Sequence, residues 1–238
     1  MTDVSQLLSQ LGHLLLTQQT PALPDIATMR VARYVSWAIC LAFFVLFLGQ
    51  KWPRTYQRSA AAVVFVWTLL PGPVSPAFWL GLAFQMPSLL GTLLCLLGCV
   101  LLMHETPPAW WRPDTLDALR WAGVAGVVLG WVLMLDTFAQ LPFSASVYAM
   151  GFSPMALVIL LALSVLPWVL GGSAAPGRVV SYVLGTVLVL FVVLRLPTGN
   201  LWDVLLDPWL WFVLQMDLLL LALRWIKARW PGSKAIRA

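Results

Sequence analysis

Seven apolar runs, each closed by charge or by a Pro/Gly cluster, dominate this chain and limit what it can fold into. They cover residues 31–50, 56–70, 78–103, 119–137, 155–170, 179–196 and 209–226. A bilayer core of about 30 Å takes about 20 mostly apolar residues in a helix, and the backbone groups placed there must bond within the segment. The runs therefore predict an all-α, polytopic transmembrane helix bundle of about seven spans. Composition agrees: 61% of residues are hydrophobic and 10% charged, against roughly 25% charged in soluble domains, which excludes a soluble globular fold. The second run is short, ending at Pro71-Gly72-Pro73, and the long third run contains Pro87, which predicts one helix kinked near its middle.

The formal charge of +5 reads as a topology signal, with no nucleic-acid partner expected. Lys51, Arg54 and Arg58 follow the first run, Arg112 and Arg120 flank the start of the fourth, Arg178 precedes the sixth, and Arg224, Lys227, Arg229, Lys234 and Arg237 close the chain. With an odd number of spans these all face one side, while Arg30, Arg33 and Arg195 fall on the other. Basic loops stay in the cytoplasm, so the amino end is expected outside and the carboxyl end inside.

Before the bundle, residues 1–28 carry Val4, Leu7, Leu8, Leu11, Leu14 and Leu15 at helical spacing, which predicts an N-terminal amphipathic interfacial helix. Residues 29–230 form a single transmembrane domain, and 231–238 a short basic tail. Arg112-Pro113-Asp114-Thr115-Leu116-Asp117 has the layout of a helix start, with Asp114 as cap. Leu201, Trp202, Leu205 and Leu206 alternate with Asp203 and Asp207, which predicts a short helix skimming the outer interface. Arg-rich, Lys-poor usage with Asn200 as the sole asparagine is the bias of a GC-rich coding sequence. The expected place is the inner membrane of a bacterium.

Catalytic chemistry has little to draw on. His13 and His104 are the only histidines and fall on opposite sides, which removes a bis-His haem. Glu105 is the only glutamate, no Cys-x-x-Cys pair occurs, and the Ser144, Ser146, Tyr148 and Ser153 hydroxyls lack a base. No catalytic residue, cofactor or metal is expected. Cys95 and Cys99 with Gly91, and Ala122, Gly126 and Gly130, form small-residue stripes at i, i+4 spacing, suited to close helix packing inside the chain or against a partner. Much of the tryptophan falls near the run ends, as aromatic belts do.

Charges inside hydrocarbon cost at least about 2.5–3.5 kcal/mol on insertion scales and mark candidate sites. Asp217 lies midway between Trp209 and Trp225, which predicts a midplane position; with Gln215 and Gln85, the latter beside the Pro87 kink, it forms a candidate intramembrane polar site. A protonatable carboxyl there suits proton coupling or an interhelical hydrogen bond. Asp136 and Arg195 share a depth at the outer ends of their spans, which predicts an ion pair and, with Gln140 and Asn200, an outer-face polar group. The expected function is a non-catalytic subunit or assembly component of a larger membrane complex, with the lipid bilayer and membrane-protein subunits as partners. The alternative is a small proton-coupled permease using Asp217.

Overall fold

The computed structural model describes residues 23–104, 106, 113–142, 146–171 and 175–229. The amphipathic segment before residue 23, His13, Glu105, Ser144 and the basic tail lie outside the described residues, as does the Asp114 side chain. The described residues form helices and no strand: α1 (Ile26–Leu48), α2 (Arg54–Thr68), α3 (Pro76–Phe84), α4 (Leu89–Met103), α5 (Pro113–Thr137), α6 (Val147–Met150), α7 (Pro154–Gly171), α8 (Ala175–Leu194), α9 (Leu201–Leu205) and α10 (Pro208–Arg229). Three stretches are long and apolar enough to cross a membrane: Ile26–Lys51, Leu119–Thr137 and Pro208–Lys227. Leu89–Met103, Pro154–Val169 and Arg178–Leu194 are shorter apolar helices.

The helix starts follow one local rule. A short polar side chain precedes a proline at the first helical position in Ser75-Pro76, Ser153-Pro154 and Asp207-Pro208, where proline's missing N–H costs nothing; Ser75 and Asp207 also accept from the N–H groups that follow. Ser75 Oγ accepts from the Ala77 N–H (3.1 Å) and donates to the Thr68 carbonyl (2.5 Å), so the same residue closes α2 and opens α3. Asp25 opens α1, and the Thr28 backbone N–H and then its hydroxyl hold the Asp25 carboxyl below the usual carboxylate range. At the far end of α5, Ala139 adopts φ +53° and Gln140 N–H reaches back to the Leu135 carbonyl (2.9 Å), which ends the helix with a left-handed cap.

Helix α1 packs against α2, α3 and α4; α7 and α8 form a close hairpin; α8 also meets α4 and α5; α10 lies on α5. The Arg54 and Arg58 guanidinium groups, besides contributing charge, donate to the His104 and Met103 carbonyls at the end of α4 (3.5 and 2.8 Å), where cations complement exposed carbonyls. Cys40 packs with Trp37 and Ala77 beside Cys95, while Cys99 joins the neighbouring cluster of Ala42, Leu46 and Ala61; all three thiols are free.

Two sequence expectations are corrected. The third run is two helices, α3 and α4, separated by the unwound residues 85–88, with Gln85 at φ +60°. A proline kink alone leaves the helix continuous, whereas here Ser88 starts a new one: its Oγ accepts from the Gly91 N–H at 3.0 Å. The segment after α8 does not skim an interface. Leu196, Asn200, Leu201, Trp202, Val204 and Leu205 are buried, and α9 sits in the main core with Met86, Leu89, Ala156, Leu160, Val187 and Phe191. The alternation of Leu and Asp mimics a surface helix, but its two carboxylates find donors inside the fold.

Candidate functional site

At the loop end of the bundle the buried segment is tied down by a hydrogen-bond network. Asn200, fully buried, donates from Nδ2 to the Tyr148 carbonyl (3.0 Å) and accepts the Trp202 N–H on Oδ1 (2.9 Å). Trp202 Nε1 donates to the Val147 carbonyl (2.8 Å), and Leu201 N–H to that of Gly151 (3.0 Å). Gly151 is required by this approach, since a Cβ there would overlap the Asn200 amide. Asp203 Oδ2 accepts from the Tyr148 hydroxyl (2.9 Å) and the Thr198 hydroxyl (2.5 Å). Burial, reinforced by the Asp203 charge, pushes the Tyr148 phenol up to about 12.

Asp136 belongs to this network, and the predicted pair with Arg195 is corrected. Its Oδ2 accepts from Ser146 Oγ (2.7 Å) and the Tyr148 N–H (2.8 Å), so the charge at the end of α5 is met by neutral donors of the next loop. The Arg195 guanidinium, one residue past the end of α8, lies 5.3 Å from the Phe191 ring centre, and Gln140 Nε2 donates to the Phe138 carbonyl. Of the predicted outer-face group, Asp136 and Asn200 share Tyr148, whereas Arg195 and Gln140 stand apart.

The break in the third run is organised around Asp207. Its Oδ2 accepts both the Ser88 N–H (2.8 Å) and the Ser88 hydroxyl (2.6 Å), and its Oδ1 accepts the Trp209 and Leu210 N–H groups (both 2.9 Å). One carboxylate thus caps the N-termini of α4 and α10 together, placing negative charge where both helix dipoles are positive. Gly91 leaves the room, for a Cβ there would stand 3.1 Å from Asp207 Oδ2. The Gln85 carbonyl, freed by the unwinding, accepts from Trp37 Nε1 at 2.9 Å. The half-helix end and this carbonyl, the groups that would hold an ion in a broken-helix transporter, are occupied by the protein's own residues.

The glycines of α5 set the register of α10. A Cβ at Gly130 would overlap the Trp211 indole, and at Gly126 and Gly123 it would come within 3.0 and 3.1 Å of Leu214. As the number falls on α5 it rises on α10, so the two run antiparallel, and Asp217 lies about level with Arg120. Both line a cavity of about 510 Å³ walled by apolar residues of α1, α4, α5, α8 and α10 and by the α9 segment. Arg120 is the second residue of the stretch Leu119–Thr137, while Asp217 is the tenth of the twenty residues of its own stretch Pro208–Lys227. Of the predicted polar site, Asp217 is exposed on α10, and neither Gln215 nor Gln85 lines its cavity. The tryptophans at 209 and 225 mark apolar limits of α10 itself, which continues past the start of α5.

Sequence reasoning missed Asp207 and Ser88, and Tyr148 as the centre of the loop network. Asp207-Pro208 is a legible helix start, and Pro87-Ser88 before an apolar run is another; that one carboxylate serves both is visible only in three dimensions. Of the described carboxylates, Asp25, Asp136, Asp203 and Asp207 accept bonds from the protein, while Asp217 has no such donor among the described residues. Among these residues no three His, Cys, Asp or Glu come together as a metal site.

Among the described residues the fold is all-helical, with three helices long and apolar enough to cross a membrane. Comparison with protein-family models, with curated proteins and with solved structures finds no match.

Proposed function

We propose that this chain is a seven-span inner-membrane protein, amino end outside and carboxyl end in the cytoplasm, serving as a non-catalytic subunit or assembly component of a larger membrane complex. One observation carries the reading: Asp136, Asp203 and Asp207 each accept hydrogen bonds from hydroxyls or backbone N–H groups of the protein itself. Bonds of this kind hold helices and loops in place. Meanwhile α10 buries none of its residues, and Leu219, Leu220, Leu223, Trp225 and Ile226 present apolar surface to their surroundings. The Gly126 and Gly130 stripe is used against α10, so a partner would meet the opposite face of that helix.

A permease using Asp217 is the second reading, favoured by the cavity beside that carboxylate. Native electrophoresis of the tagged chain in mild detergent separates the two. The first reading expects a complex of fixed stoichiometry that disperses when Leu220 and Leu223 become Ser. A single chain in every mild detergent, with proton uptake by vesicles that Asp217→Asn abolishes, would establish the second. Reporter fusions test the topology: Glu105, Gly172 and Ala238 should report cytoplasm, and Pro73, Ser146 and Asn200 the outer side.

A further inference from the structure

The Arg120–Asp217 cavity is polarised along its length. Its two charged residues stand at one end, level with each other by the α5–α10 register, and the walls beyond them, Ala122, Gly126, Leu210 and Leu214 among them, are apolar as far as Leu205 and Leu206. From Leu218 to Leu210 along α10 is about 12 Å at about 1.5 Å per residue. A cation and an anion together at the mouth of an apolar slot complement an amphiphile that carries both charges on its head and a chain behind them. We infer that the cavity binds one membrane phospholipid with a zwitterionic phosphoethanolamine head, its phosphate on Arg120, its ammonium on Asp217 and one acyl chain along the slot toward α9.

Size admits a single small ligand. The cavity, about 510 Å³, falls in the range of roughly 300–1,000 Å³ that encloses a single small ligand. Charge chooses between lipids. Asp217 lacks a donor from the described residues, and a carboxylate beside apolar walls calls for one. A primary ammonium supplies both the charge and the N–H bonds; the quaternary ammonium of phosphatidylcholine supplies no N–H, and phosphatidylglycerol brings a negative charge without a cation. Arg120 has a further interaction of its own, and its five N–H donors can serve that and a phosphate together.

The test is the phospholipid content of the intact protein, purified in mild detergent, by mass spectrometry of its organic extract. Reloading of delipidated protein from vesicles of phosphatidylethanolamine, phosphatidylcholine or phosphatidylglycerol then gives the preference. About one phosphatidylethanolamine per chain is expected, favoured about tenfold over the other two, the worth of one charge-assisted hydrogen bond. Asp217→Asn should erase the preference over phosphatidylcholine while phosphatidylcholine loading stays unchanged. Arg120→Gln should lower loading of all three, and Ala122→Phe should empty the slot. Wild-type protein that retains no phospholipid, or that loads the three equally, overturns the inference whatever the variants do. So does an Asp217→Asn protein, folded by its unfolding midpoint, that keeps the full preference.

Discussion

Asp207→Ala removes the one carboxylate shared by two helix starts, and its cost can be built from the bonds it makes. At α10, the Trp209 and Leu210 N–H groups lose their acceptor, and deleting an N-cap costs about 1 kcal/mol. At α4, the Ser88 N–H and hydroxyl lose theirs. Interhelical hydrogen bonds in membrane proteins average about 0.6 kcal/mol and reach about 1.7; a charged acceptor with bonds of 2.6 and 2.8 Å belongs near the upper value, about 1.5 kcal/mol. The sum is about 2.5 kcal/mol. Asp207→Asn keeps a carbonyl for one helix start but turns an NH₂ toward the donors of the other, so it should cost less, about 1 kcal/mol. Ser88→Ala leaves the α10 cap intact, and in a double-mutant cycle with Asp207→Ala the two should couple by about 1 kcal/mol or more. Unfolding of the purified protein in mixed micelles, followed by tryptophan fluorescence, measures all four species. A loss below about 0.5 kcal/mol for Asp207→Ala, or strictly additive effects in the cycle, would refute the two-helix cap.

Other substitutions test the remaining contacts. Tyr148→Phe removes the bond to Asp203 and should cost about 1 kcal/mol. Because the Tyr148 phenol is pushed up to about 12, above the ordinary value of about 10, its contribution is complete below pH 10 and is lost as pH rises through about 12; an ultraviolet phenolate titration should show one late-titrating tyrosine that Tyr148→Phe removes. Gly130→Ala would drive a methyl into the Trp211 indole, costing about 1–3 kcal/mol, and Trp211→Phe should recover part of it in thermal unfolding. Asp136→Ala and Arg195→Gln should be additive within about 0.5 kcal/mol, since Asp136 is held by Ser146 and Tyr148; clear coupling would restore the ion pair.

The helices were legible where one periodic signal decided the outcome. The starts of α3, α7 and α10 are written in Ser75-Pro76, Ser153-Pro154 and Asp207-Pro208, and the close approach of α5 to another helix in Gly126 and Gly130. Illegible was what depended on pairing across the chain. The apolar run from 78 to 103 shows Pro87, but unwinding of 85–88 needs Asp207, 119 residues from Ser88, to cap the second half. The segment 196–205 has the alternation of a surface helix, and its polar residues are met inside by the Tyr148 and Thr198 hydroxyls, which donate to Asp203, and by the Tyr148 carbonyl, which accepts from Asn200.

The same limit explains why the sequence singled out Asp217 and passed over Asp207. Asp207 and Asp217 both adjoin leucine, and hydropathy alone ranks Asp217 as the costlier, since it stands deeper in an apolar run. What a carboxylate costs depends on its donors as much as on its depth. Asp207 meets four donor groups from two helix starts, so its charge is an asset that fixes α4 against α10. Asp217 faces a cavity with Arg120 at its own level and no donor among the described residues. The first is therefore the residue whose loss should loosen the fold. The second is the one whose neutralisation, leaving the fold in place, should change what the cavity holds.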